Sequence, residues 1–183
     1  MRSLPVILLL LVVVLAGLVF VQKPKDFKPV IIPIRFDSDN KTALATQDLR
    51  PLVDTPAFFL EAWRLRLMAN STRGFLEDVA GSARKKMVYR PMQRELIGPI
   101  QETLKQGWGD CRDYSVIAAS TLKAARPEWN VSFFGVDLDH AFKPDFPNHW
   151  MLWLETDEGT YLVDPTFSIV GQGEQWVGWK LPI

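Results

Sequence analysis

Hydrophobic and polar positions change their spacing along the chain, and each spacing predicts a different element. From Leu4 to Val21 eighteen consecutive positions carry no charge, which as a helix would extend about 27 Å and nearly match the hydrocarbon core of a bilayer. Arg2 precedes this run and Lys23, Lys25 and Lys28 follow it. The pattern predicts a transmembrane signal anchor over residues 1–22, single-pass, with the rest of the chain exported. A cleaved signal peptide, leaving a secreted protein, is the alternative, because Val14-Leu15-Ala16 resembles a small-residue cleavage site. Positive charge on both flanks leaves the orientation contested.

Residues 23–56 are punctuated by proline and read as a linker, with PVIIPIRF (Pro29 to Phe36) as its one strand and SDNK as a turn. Helical spacing then sets in. Phe58, Phe59, Ala62, Leu65 and Met68 predict a helix over Ala57 to Ala69 with Arg64 and Arg66 towards water. Phe75, Leu76, Val79, Ala83 and Met87 predict a second over Arg73 to Val88, its Arg84-Lys85-Lys86 run solvated, broken by Tyr89-Arg90-Pro91. A short helix over Pro99 to Lys105 ends at Gly107 and Gly109. The next, Asp110 to Ala125, is apolar or small nearly all round, as a central buried helix is, with Asp110 as its N-cap.

Beyond Pro127 the residues turn to strand formers: VSFFGVD, HWMLWLE and TYLVD, the last two joined by Asp157-Glu158-Gly159 as a hairpin turn, with QWVGWKLPI as an edge strand. Helices followed by antiparallel strands predict an α+β domain over residues 57–183. At 183 residues the chain has room for one such domain and an appendage.

Composition narrows the chemistry. Lys and Arg total 21 and Asp and Glu total 21, so no basic field exists to hold nucleic acid. A single cysteine, Cys111, excludes an internal disulfide and any zinc site built on several thiolates. No compact ligand spacing suggests a metal, and Gly171 and Gly173 lack the strand and helix context of a dinucleotide or phosphate loop. No cofactor is expected.

Cys111 falls at the first position of the predicted buried helix, where unpaired N–H groups and the helix dipole favour an anion. Such surroundings favour the nucleophilic thiolate. The chain holds two histidines, His140 and His149. His149 opens a strand whose hairpin partner ends at Asp164, so antiparallel pairing makes these two neighbours, in the manner of a base and its orienting carboxylate.

Three stretches also resemble a known family: ETLKQGWGDCRDYSVIAASTLKAA (Glu102 to Ala125), NHWMLWLE (Asn148 to Glu155) and YLVDPTF (Tyr161 to Phe167). They are similar to the transglutaminase-like superfamily, a papain-like α+β fold, and Gly-Asp-Cys-x-Asp-Tyr resembles bacterial transglutaminase-like cysteine proteinases. The resemblance covers about Tyr89 to Phe167. It implies Cys111 as nucleophile, His149 as general base and acid, and Asp164 as the group that orients the imidazole. The expected activity is cleavage or transfer at an amide bond of a protein or peptide substrate. Gln106 or the Trp108 indole are the candidates to assist the oxyanion. The papain offset departs here, because Lys105 holds the position six residues before the cysteine. Asp113 matches a recurrent family position, where it would cap backbone donors of the first turn or hold a neighbouring loop.

Plainer readings compete. Cys111 can be a small buried apolar residue, His149 a satisfied core histidine and Asp164 a turn former, the whole being a peptide-binding module without catalysis. His140, in the similar string His-Ala-Phe, competes for the base role. Trp150, Trp153, Trp176 and Trp179 suit sheet packing before a carbohydrate platform.

Overall fold

The computed structural model describes residues 28–36, 39–91, 96–140, 146–173 and 176–183. The predicted membrane anchor lies outside them, and among the described residues no helix is long and apolar enough to cross a membrane.

Strands β1 (Ile31–Phe36) and β2 (Asp39–Gln47) come first. After a 3-10 turn (Arg50–Leu52) follow helices α1 (Thr55–Met68) and α2 (Thr72–Lys85), then β3 (Val88–Tyr89), helix α3 (Ile100–Gln106), β4 (Trp108–Gly109) and helix α4 (Cys111–Ala125). Strands β5 (Asn130–Val136), β6 (His149–Thr156), β7 (Gly159–Asp164), β8 (Ile169–Gln172) and β9 (Trp179–Pro182) complete the chain. Seven strands form one antiparallel sheet in the order β2-β1-β9-β5-β6-β7-β8, while β3 and β4 make a separate parallel pair. The mixed helix and sheet architecture is α+β.

Three local predictions need correction. The stretch read as a linker carries β2, with Ile31 opposite Gln47, and Asp39 to Lys41 open that strand instead of turning. Its DNKTALATQ sequence lacks the large alternating side chains that announce a strand, so pairing with β1 supplies what periodicity did not show. The C-terminal strand β9 is interior, with β1 on one side and β5 on the other, and Trp179 and Leu181 are buried. The second helix stops at Lys85, so Val88 pairs with Trp108 instead of continuing it. The short β8, with a glycine in its middle, was not foreseen.

Helix α4 is the spine. Val116, Ile117, Ala118, Ala119 and Leu122 are fully buried, at the centre of a core that includes Phe58, Ala62 and Leu65 of α1 and Phe75, Leu76 and Val79 of α2. The sheet contributes Phe133, Trp150, Leu152, Leu154 and Val163 to this core. Its other face gathers Phe134, Val136, Met151 and Leu162 into a smaller cluster. The alternation of Trp150, Leu152 and Leu154 with Met151 along β6 is the period-two pattern of a strand buried on both faces.

Candidate active site at the start of helix α4

Asp110 decides where α4 begins. Its carboxylate accepts the Arg112 N–H at 2.9 Å, and it forms a reciprocal capping box with Asp113, whose carboxylate accepts the Asp110 N–H at 2.9 Å. The Asp110 carbonyl takes the Tyr114 N–H. Of the first-turn donors, the Cys111 N–H is the one that Asp110 does not take up. Arg112 grips Asp110 through a second contact, Nη2 to Oδ2 at 2.6 Å, and this buried pair holds the N-terminus rigid. Burial alone would lower the Arg112 pKa, but the hydrogen bond and charge of Asp110 leave it raised.

Asp113 also reaches α3, accepting a hydrogen bond from the Thr103 hydroxyl at 2.9 Å. This close packing needs Gly109. A Cβ there would stand 2.7 Å from the Met87 sulfur and 2.8 Å from Asp113 Oδ2.

Ser115, one turn after Cys111, donates its hydroxyl to the Trp150 carbonyl at 3.0 Å. That bond ties the first turns of α4 to the start of β6, where His149 stands. The β6–β7 register pairs Leu152 with Val163, so His149 and Asp164 are diagonal neighbours on one face at the end of the hairpin. Their side chains meet, Nε2 to Oδ2, at 2.7 Å. The other oxygen of Asp164 accepts the Thr166 N–H at 2.9 Å and the Phe167 N–H at 3.3 Å, so the turn after β7 fixes the carboxylate. The Phe167 ring lies beside the imidazole, centroids 5.6 Å apart.

The Cys111 thiol lies close enough to the His149 side chain to act on its proton affinity. Burial pulls the His149 pKa down, but the hydrogen bond to Asp164 and the influence of Cys111 raise it from 6.5 to about 9. The imidazole therefore holds its proton at neutral pH. Cys111, His149 and Asp164 thus lie together, all buried, with Cys111 only 1% exposed.

The remaining predicted residues divide. His140 stands apart in this network: its Nδ1 faces Asp137 Oδ2 at 3.3 Å and its side chain is 59% exposed. Gln106 is exposed and donates to the Trp108 carbonyl at 3.1 Å. The Trp108 ring lies under the Arg90 guanidinium, 5.2 Å from its centroid. Asp113 caps the helix as expected of that position.

Tyr89 is a residue the sequence did not single out. Pairing of β3 with β4 sets it opposite Gly109, two residues from Cys111. Burial raises its pKa, and the negative charges of Cys111, Asp110 and Asp164 add to the rise, which places its phenol in the field of the site. No spacing in the sequence announces that contact, because a two-residue parallel pair has no period. Among the described residues no group of three or more His, Cys, Asp or Glu side chains is arranged to hold a metal ion.

No family model matches the chain, and no curated protein does. Its fold is similar to the crystal structure of a putative cysteine protease from Cytophaga hutchinsonii, with a TM-score of 0.51 and 11% identity over 74% of this chain and 47% of that one. The chain thus spans about half the length of that solved protein, and the likeness is one of fold.

Proposed function

We propose that the chain is a thiol-dependent amide-bond hydrolase, related to the bacterial transglutaminase-like cysteine proteinases, in which Cys111, His149 and Asp164 act as a triad. The observation that carries this reading is the buried 2.7 Å His149–Asp164 contact close to the Cys111 thiol at the start of α4. A protonated His149 beside Cys111 stabilises the thiolate, which attacks the carbonyl carbon of a peptide or side-chain amide. The Cys111 N–H, at the start of α4, would donate to the oxyanion that forms. As the tetrahedral species collapses, His149 gives its proton to the leaving amine, and a thioester remains on Cys111. His149 then takes a proton from water, whose oxygen attacks the thioester and frees the acid. An amine in place of water would make the same intermediate a transfer product. Asp164, fixed by the Thr166 and Phe167 N–H groups, orients the imidazole throughout.

The test is to incubate the purified full chain with a mixture of natural peptides and to read new amino termini by mass spectrometry. Wild type creates them and Cys111→Ala does not. Added alkylamine captured at the new acyl groups would favour transfer, and equal cleavage by both proteins would refute the triad. A second reading, a peptide-binding module without catalysis, is favoured by the near-complete burial of Cys111. It predicts peptide binding that survives Cys111→Ala, with no product from either protein.

We also infer that residues 4–21 anchor the chain in a membrane, with the domain on the exported side, since the eighteen uncharged positions suit a bilayer. Carbonate extraction tests this: the protein should stay with the membrane pellet, and release into the supernatant would contradict it.

A further inference from the structure

Helix α1 carries two apolar faces. Asp54 caps its start by accepting the Ala57 N–H, and Phe58, Ala62 and Leu65 turn into the core. Phe59 and Met68, expected on the same face, are exposed instead. On the far side Phe59, Leu60, Trp63 and Leu67 are 55%, 72%, 57% and 64% exposed. At about 100° per residue these four fill one stripe roughly 100° wide, with Arg66 on one border and Arg64 on the other. No neighbouring element among the described residues covers that stripe.

The occupant follows from where the helix sits in the chain. Residues 22–29 separate the uncharged run from Val30 and reach at most about 29 Å. The Val30 carbonyl accepts the Asp48 N–H at 2.8 Å, and Asp48 lies just before the 3-10 turn that leads into α1. A domain tethered through this junction therefore holds α1 within reach of the bilayer surface. Aromatic and aliphatic side chains bordered by a basic residue form the face of a helix lying in a membrane interface; here Arg64 can send its charge to the headgroups, while Arg66 donates to the Ala125 carbonyl at 2.8 Å. Lys23, Lys25 and Lys28 add positive charge on the approach. A second copy laid on the same stripe would offer Arg64 no carboxylate from this helix, because Glu61 is occupied with Lys86 and Ser82 on the inner side.

We propose that the stripe of Phe59, Leu60, Trp63 and Leu67 rests in the headgroup layer of an anionic lipid bilayer and fixes the orientation of the domain on the membrane. The inference rests on the membrane reading of residues 4–21. Its test is a spin-label survey of the full chain, in a Cys111→Ala background, reconstituted in vesicles of phosphatidylcholine and phosphatidylglycerol. Single cysteines are placed by Leu10→Cys, Leu60→Cys, Leu67→Cys and Asp157→Cys. Labels at Leu10, Leu60 and Leu67 should show an oxygen-to-nickel accessibility ratio several-fold above that at Asp157. Labels at 60 and 67 that match Asp157, while Leu10 is lipid-exposed, would overturn the inference and leave the anchor standing. An aqueous Leu10 would overturn both. Labels at 60 and 67 shielded from both reagents, with spin–spin broadening, would assign the face to a second copy and refute the lipid contact.

Discussion

The chain sets two histidines against two buried aspartates that each also take up two backbone N–H groups, and the pairs differ in the burial and surroundings of the imidazole. His149 meets Asp164 across a hairpin, both buried, at 2.7 Å and with a thiol nearby. His140 meets Asp137 three residues back within a loop, at 3.3 Å, its own side chain 59% exposed. Asp137 spends its Oδ1 on the N–H groups of Asp139 and His140 and on the Asn148 amide. It shapes a loop, while Asp164 shapes a proton-bearing group. A His–Asp pair acquires chemistry from what its ring touches and from the exclusion of water, and the residue types alone do not distinguish the two.

The comparison breaks most visibly on the histidines themselves. Cys111→Ala and His149→Ala should each lower peptide cleavage by about 10⁴-fold or more, whereas His140→Ala leaves the rate unchanged. Loss of activity in His140→Ala with a native circular dichroism spectrum would reverse the assignment. Next in size are the carboxylates. Asp164→Asn should cost roughly 10³–10⁴-fold in kcat, less than Cys111→Ala, and Asp137→Asn should cost nothing measurable in the same assay.

Stability sharpens the contrast on a smaller scale. His149 is raised in the folded state, so its contribution is complete below the unfolded value of 6.5 and is lost as pH rises through about 9. Urea titrations of wild type and His149→Ala should therefore diverge most near pH 6 and converge by pH 10. A gap that widens with pH would contradict the protonated pair. Smallest of all, Asn148→Ala removes the amide that bonds Asp137 and Asp139 and the carbonyl that accepts the Leu138 N–H. It should destabilise by about 1–3 kcal/mol, read by thermal melting, while cleavage persists.

Much of the site was legible because local rules decide it. Asp110 as N-cap puts Cys111 at the first turn, and the hairpin through Asp157 and Glu158 puts His149 beside Asp164. The meeting of thiol and imidazole was legible only as a resemblance, since the Ser115–Trp150 bond that joins α4 to β6 spans 35 positions of chain. Tyr89 and Arg112 were missed for the same reason that β2 was: their roles depend on partners that no window of sequence contains. Helix α1 shows a different limit. Two apolar faces cancel in any amphipathic count, and the pattern alone does not select the face that is buried.

The central claim is that His149, and not His140, activates Cys111, and the rate of Cys111 alkylation by iodoacetamide at neutral pH tests it most directly. Wild type and His140→Ala should react alike and fast, and His149→Ala should fall to the rate of an ordinary thiol. Equal rates in all three proteins would contradict the account.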